Sequence, residues 1–270
     1  AVEDDPLRGD EVRTDRVGHI DRQRVHIVEG DSDPVVEHLD HIVPHQPRPH
    51  EKAVIILRKA RPHHSLVIHI VPLGGNVGGK GERITTMCER YGGSVCINGG
   101  GFQDSGYGSD IPTGVVIQDG EITWGADTVD TARDNIIGLT KDGKLKLMTN
   151  ATANEALKAN INDAMVFGPF LIVNGKPLEI VGDPWGYAPR VAIGQTKSGI
   201  ILFLVVDGEN YINGASLQDM VDILTRYGAY NAANLDGGQS SSLSINGKLY
   251  NNPPAAAKRQ GGRYVVTGWG

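Results

Sequence analysis

Between residues 115 and 208 the chain repeats one pattern: an apolar run, a short polar break, then a second apolar run. The stretches are VVIQDGEITW, IIGLTKDGKLKLM, FLIVNGKPLEI and VAIGQTKSGIILFLVVDG. Asp-Gly and Asn-Gly readily take positive φ at both central positions of a two-residue turn, whose twist matches that of the flanking strands. This punctuation predicts a meander of antiparallel hairpins through the middle of the protein. Helical spacing occurs on either side of it. Ile84, Met87, Cys88 and Tyr91 fall at i, i+3, i+4 and i+7, with Gly92 placed to end the helix. Ser216 and Asp219 make a capping-box-like start for a second helix, with Leu217, Met220, Val221 and Leu224 as its buried face and Gly228 as its stop. The expected fold class is α+β: a large, twisted, mostly antiparallel sheet with two principal helices packed on it.

The first fifty or so residues differ from the rest, being charged and dotted with proline. Residues 1–52 read as an N-terminal extension or a link to a further domain. Residues 53–270 read as the main domain, opening with the β-rich AVIILRKA and SLVIHIV and the glycine-rich GGNVGGKG. A net charge of −6 offers no basic field for a polyanion, so nucleic acid is set aside as a partner. No apolar run reaches the ~18 residues needed to span a bilayer, and the opening AVEDDPLRGD lacks the apolar stretch of a signal peptide. Cys88 lies on the first helical stripe and Cys96 in the apolar Val95–Ile97 stretch. Two buried free thiols are expected there, a bridge being the other reading.

All nine histidines precede residue 70. A serine or cysteine nucleophile in the β-rich region would have to import its base from the N-terminal segment, so Ser240, Ser241 and Ser242 are poor candidates for an activated nucleophile. His38, His41, His45 and His50 match no zinc spacing, are interrupted by prolines and read as a solvated segment. Carboxylates remain. Asp236 follows the apolar end of a strand and precedes Gly237 and Gly238, where a charge belongs if the loop faces a pocket. Asp207 ends LFLVV just before Gly208 and Glu209, and Arg190 opens the strand of PRVAIG. Arg90, Tyr91, Gly92 and Asn98 recur at the same spacing as Arg226, Tyr227, Gly228 and Asn234. Two related strand-to-loop corners are therefore expected to assemble a site between them.

AANLDGGQSSSL resembles the NLDGGGS-type motif of the phosphodiester glycosidase family, and CINGGGF resembles its NGG-F motif. FGPFLIVNGK, PRVAIG and LFLVVDG follow in the family's order, and the resemblance covers Val67 to Gly270. Gln239 stands where the family has a third glycine. The resemblance implies hydrolysis of a sugar-1-phosphodiester, with an N-acetylglucosamine-like or related sugar on a phosphorylated glycan or cell-wall polymer. Catalysis would fall to Asp236 as base or nucleophile, with Asp207 either the second carboxylate or the shaper of a turn, and Arg190 as the fork for phosphate. Substrate would be held by Gly99, Gly100, Gly101, Glu209, Gly237, Gly238, Ser240 and Ser241, with Asn98 and Asn234 either bonding sugar hydroxyls or stitching their loops together. No cofactor is required by the sequence, though a divalent cation is compatible with a phosphate site. The other readings are a non-catalytic binder of phosphorylated glycans on a cell surface or phage structure, and a metal-assisted phosphodiesterase that cuts P–O. A glycan substrate suggests a secreted, extracellular or cell-surface setting, bacterial or phage.

Overall fold

The computed structural model describes residues 81–104, 111–125, 130–208 and 213–270 apart from 260, together with the backbone of strands at 35–39, 53–59 and 67–68. GGNVGGKG up to residue 80 and the side chains of the 38–50 histidine run lie outside the described residues.

The Asp-Gly and Asn-Gly breaks turn the chain as expected. Asp119 and Gly120 take φ of 51° and 77°, and Asn174 and Gly175 take 51° and 76°. The first joins strands Val116–Gln118 and Glu121–Trp124, the second Phe170–Val173 and Lys176–Pro177. All the pairings among the described residues are antiparallel. The strands do not form one large sheet, which corrects the expectation from sequence. Among the described residues they divide into a seven-stranded sheet, two five-stranded sheets and a two-stranded ribbon. In order across it, the seven-stranded sheet holds Val35–Leu39, Ala53–Lys59, Ile200–Val206, Arg190–Thr196, Ala229–Leu235, Phe170–Val173 and Lys176–Pro177.

The reason for the division lies in the strands themselves. Val191 and Ile193 point to one face and Ala192 to the other, and all three are buried. Ile201, Phe203 and Val205 likewise alternate with buried Leu202, Leu204 and Val206. A sheet apolar on both faces needs a cover on each. On one side the cover comes from the other two sheets: Val191, Ile193 and Phe203 join Ile97 and Trp269 of one and Ile137, Leu145 and Met165 of the other in a shared core. On the opposite side the helix Leu217–Arg226 lays Met220, Val221 and Leu224 over Ala192, Leu202 and Leu204.

Both expected helices form, as Ile84–Arg90 and Leu217–Arg226, each ending on a tyrosine followed by a left-handed glycine. The Ser216–Asp219 capping box is complete. Two short helices were not foreseen, Ala153–Lys158 and Ala255–Lys258. The first has its own sequence signal, a Thr152–Glu155 capping box. Cys88 and Cys96 are joined in a disulfide, with their Cα atoms 5.8 Å apart, so the expectation of free thiols is corrected. The turn through Gly92 folds strand Val95–Asn98 back under its helix, bringing both sulfurs into one apolar cluster. Gly93 leaves room for the bridge, since a Cβ there would sit 2.7 Å from the Cys96 sulfur.

Candidate active site

The two helix–tyrosine–glycine–strand units end beside one another. Strand Val95–Asn98 runs into Gly99, and strand Ala229–Leu235 runs into Asp236. The Asp236 N–H donates to the Gly99 carbonyl at 3.0 Å, and Asn98 Nδ2 donates to the Asp236 carbonyl at 2.6 Å. Asn98 Oδ1 in turn accepts from the Ser242 N–H at 2.9 Å. Asn98 is fully buried and both ends of its amide are engaged, so it stitches the corners together. Asn234 uses Nδ2 on the Gly168 carbonyl at 3.0 Å, while its Oδ1 is buried without a partner among the described residues.

Locking these corners together holds the Asp236 side chain at the junction of two lobes of a cleft. One lobe encloses about 900 Å³ and the other about 310 Å³, and both are walled by Asp104, Phe167, Asp236 and Arg263. Burial is the largest influence on Asp236 and raises its pKa from the ordinary 3.8 to about 6. Hydrogen bonds from Ser240 and the Gly237 backbone and the charge of Arg263 pull it down, and the Asp104 charge pushes it up. A carboxylate with this pKa is ionised at neutral pH yet basic enough to take a proton.

The arginine beside Asp236 is Arg263, which the sequence reading did not select. Its Nη1 reaches Ser240 Oγ at 3.4 Å, its Nη2 pairs with Asp104, and its guanidinium carbon lies 5.1 Å from the centre of the Phe102 ring. Arg190 also lines the larger lobe, but much of its fork is occupied. Nε donates to the Ala215 carbonyl at 3.1 Å, and Nη2 donates to Asp183 Oδ1 and to the Gly186 carbonyl, both at 2.7 Å. Among the described residues no hydrogen bond is made by Nη1.

Other expected site residues are placed for structure more than for contact. Asp207 is buried away from both lobes, its carboxylate accepting from Asn251 Nδ2 and the Asn252 N–H at 2.8 Å each. It anchors the turn that follows strand Lys248–Leu249. Gly99 and Gly100 spend their N–H groups on Thr267, at 2.8 Å each, and Gly238 spends its own on the Pro189 carbonyl. Gly101 walls the smaller lobe, and Gly237 and Gly238 wall the larger one. The Ser240 hydroxyl serves Asp236, and Ser241 Oγ is buried away from the cleft. Glu209 lies outside the described residues. Gln239, in place of a third glycine, lines the larger lobe.

Asp104 and Arg263 carried a signal of the kind that singled out Asp236. Arg263 stands between Gly261-Gly262 and the apolar strand Tyr264–Val265, and Asp104 follows the CINGGGF glycines. Their approach across 159 positions of sequence was not legible. Among the described residues no group of three or more His, Cys, Asp or Glu side chains is arranged to hold a metal ion.

The sequence model of a family described as phosphodiester glycosidase matches residues 91–270. The chain is 28% identical over 178 residues to the SPbeta prophage-derived uncharacterized protein YomE of Bacillus subtilis, covering 63% of this chain and 27% of that protein. It is 38% identical over 64 residues to the N-acetylglucosamine-1-phosphodiester alpha-N-acetylglucosaminidase of Bos taurus, covering 24% of this chain and 12% of that enzyme. The matches thus span about a quarter and about an eighth of these relatives. In three dimensions the zebrafish N-acetylglucosamine-1-phosphodiester alpha-N-acetylglucosaminidase catalytic domain, auto-inhibited by its pro-peptide, superposes with a TM-score of 0.70 at 20% identity, over 88% of this chain and 82% of that one. A hypothetical protein from Synechocystis superposes with a TM-score of 0.63 at 15% identity, over 82% and 59%. At these identities the structural likeness establishes the fold.

Proposed function

Because this chain belongs to the phosphodiester glycosidase family, we propose that it hydrolyses the bond between the anomeric carbon of a sugar and a phosphodiester oxygen, with Asp236 acting in its ionised form. The bond breaks heterolytically, and the phosphate oxygen leaves with the electron pair. Phosphate is a weak base, so its departure needs little protonation, and one well-placed carboxylate suffices for proton handling. The developing oxocarbenium charge faces Asp236, which takes a proton from the water that adds to the anomeric carbon. The products are a free sugar and a phosphomonoester. Arg263 is the phosphate anchor in this reading, since it walls both lobes and its side chain is 22% exposed, against 6% for Arg190, which walls the larger lobe alone. Arg190 contributes Nη1 alone, and no cation is given a part.

The observation that carries this reading is the carboxylate with a pKa raised to about 6, held at the junction of the two lobes within reach of an arginine. A phosphorylated glycan is the natural substrate class, and N-acetylglucosamine is the first sugar to try, given what the bovine relative's name states. The Cys88–Cys96 disulfide supports a place outside the reducing cytosol, at the cell surface or beyond it. The test is release of free sugar from N-acetylglucosamine 1-phosphate esterified to methanol, run in oxygen-18 water. Label in the sugar supports the proposal, and label in the phosphate replaces it with P–O cleavage. Binding of the diester without turnover would make the protein a binder.

A further inference from the structure

The cleft carries more negative charge than the seat of an anion needs. Its smaller lobe is walled by two carboxylates, Asp104 and Asp236, and by one guanidinium, Arg263. The larger lobe adds Glu179 and Arg190, and Arg190 is already paired with Asp183. The proposed chemistry uses Asp236 and gives Asp104 no part. Yet Asp104, 159 positions from Arg263 in the chain, brings its carboxylate onto Arg263 Nη2.

The two halves of that ion pair are held differently. Arg263 has other supports: Nη1 reaches Ser240 Oγ at 3.4 Å, and the guanidinium carbon lies 5.1 Å from the centre of the Phe102 ring. The Asp104 side chain is 43% exposed, twice as much as that of Arg263. An ion pair open to water on one side is worth little to the fold and separates readily, and the carboxylate is the half with room to swing away. A guanidinium binds carboxylate and phosphate through the same N–H donors, so Asp104 occupies the place on Arg263 that a phosphate would take. Its charge also reaches across the lobe, since it is one of the influences that raise the pKa of Asp236.

We infer that Asp104 is a built-in competitor of phosphate for Arg263, a carboxylate that gives way to a phosphodiester and drives the phosphomonoester product off the anchor. The inference rests on Arg263 as the phosphate anchor of the proposed reaction. Charge is what separates substrate from product here. A phosphodiester carries one negative charge, whereas a phosphomonoester carries about two once the pH is above its second pKa of ~6. Breaking the Asp104–Arg263 pair costs the same for either. Repulsion from the displaced carboxylate scales with the charge on phosphate and is about twice as large for the product. Asp104 therefore weakens the diester somewhat and the monoester more. An Asp104 that merely oriented Arg263 would have the opposite effect, because removing it would loosen the anchor and weaken both anions.

The experiment titrates dimethyl phosphate and methyl phosphate, a monoanion and a dianion at pH 8, into the parent protein, Asp104→Asn and Asp104→Ala, with binding read by phosphorus-31 NMR. Both variants should bind dimethyl phosphate about 3-fold and methyl phosphate about 10-fold more tightly than the parent. Arg263→Gln should lose most of the affinity for both anions. With N-acetylglucosamine 1-phosphate esterified to methanol as substrate, the Asp104 variants should show a lower KM and a stronger inhibition by methyl phosphate. Unchanged or weaker affinity in both Asp104 variants, an equal gain for the two anions, or binding that Arg263→Gln leaves intact would overturn the inference. The expected binding pattern without hydrolysis of the diester supports the competitor and counts against the chemistry alone.

Discussion

Replacing Asp236 by asparagine separates two quantities that the site couples, the stability of the fold and the rate of the reaction. In the folded protein the carboxyl titrates at about 6 in place of 3.8, because burial penalises the charged form more than Ser240, Gly237 and Arg263 favour it. A raised pKa means that the native state holds its proton more tightly than the unfolded chain. The stabilising contribution is therefore full below pH ~4 and is lost as pH rises through about 6. A difference of about two pH units at ~1.4 kcal/mol each amounts to ~3 kcal/mol, most of which develops between pH 4 and 7. Asparagine carries no charge and escapes this cost. Urea denaturation of both proteins at pH 4, 5, 6, 7 and 8 should show the variant gaining ~2–3 kcal/mol on the parent across the series. Hydrogen bonds lost in both conditions cancel in that difference. Over the same range the parent's kcat/KM should rise through about pH 6, and the variant should lose on the order of 10²–10⁴-fold in kcat. A stability gap that stays constant with pH would refute the burial argument, and a rate that falls above pH 6 would refute the role of the ionised form.

Asn98→Ala removes two buried hydrogen bonds that join the corners and should cost ~2–4 kcal/mol in urea unfolding, with a fall in kcat because Asp236 loses its support. Gly237→Ala places a Cβ 2.6 Å from the Pro189 carbonyl oxygen, so the loop that carries Asp236 and the Pro189 backbone must move apart; activity should drop at least ~10-fold while the circular dichroism of the fold is retained. Reducing the Cys88–Cys96 bridge, which spans eight positions, should lower the unfolding free energy by ~2–3 kcal/mol, measured with and without dithiothreitol.

The hairpins, both principal helices and the pairing of the two glycine corners were legible because each is written in neighbouring residues. Asn174-Gly175 can turn only a few ways, and Ser216 caps its own helix. The place of Asp236 on the cleft wall was legible for the same reason, as a charge at the end of an apolar strand. What was not legible depends on partners distant in the chain. Arg190 stands where a phosphate fork was expected, but Asp183, Gly186 and Ala215 claim most of its donors. Asp207 ends an apolar strand much as Asp236 does, but Asn251 and Asn252 take its carboxylate into the core. Arg263 and Asp104 meet only once the two corners close on each other.

Sequence alone therefore determined the kind of elements and the family, since turn chemistry, capping and side-chain period act over a few residues and the motifs stand in order along the chain. Tertiary structure decided how the strands divide into sheets, whether the two cysteines pair, and which charges face the cleft. Those outcomes depend on which buried donors and acceptors are already satisfied by remote neighbours, and a side chain is available to a substrate only after that competition has been resolved.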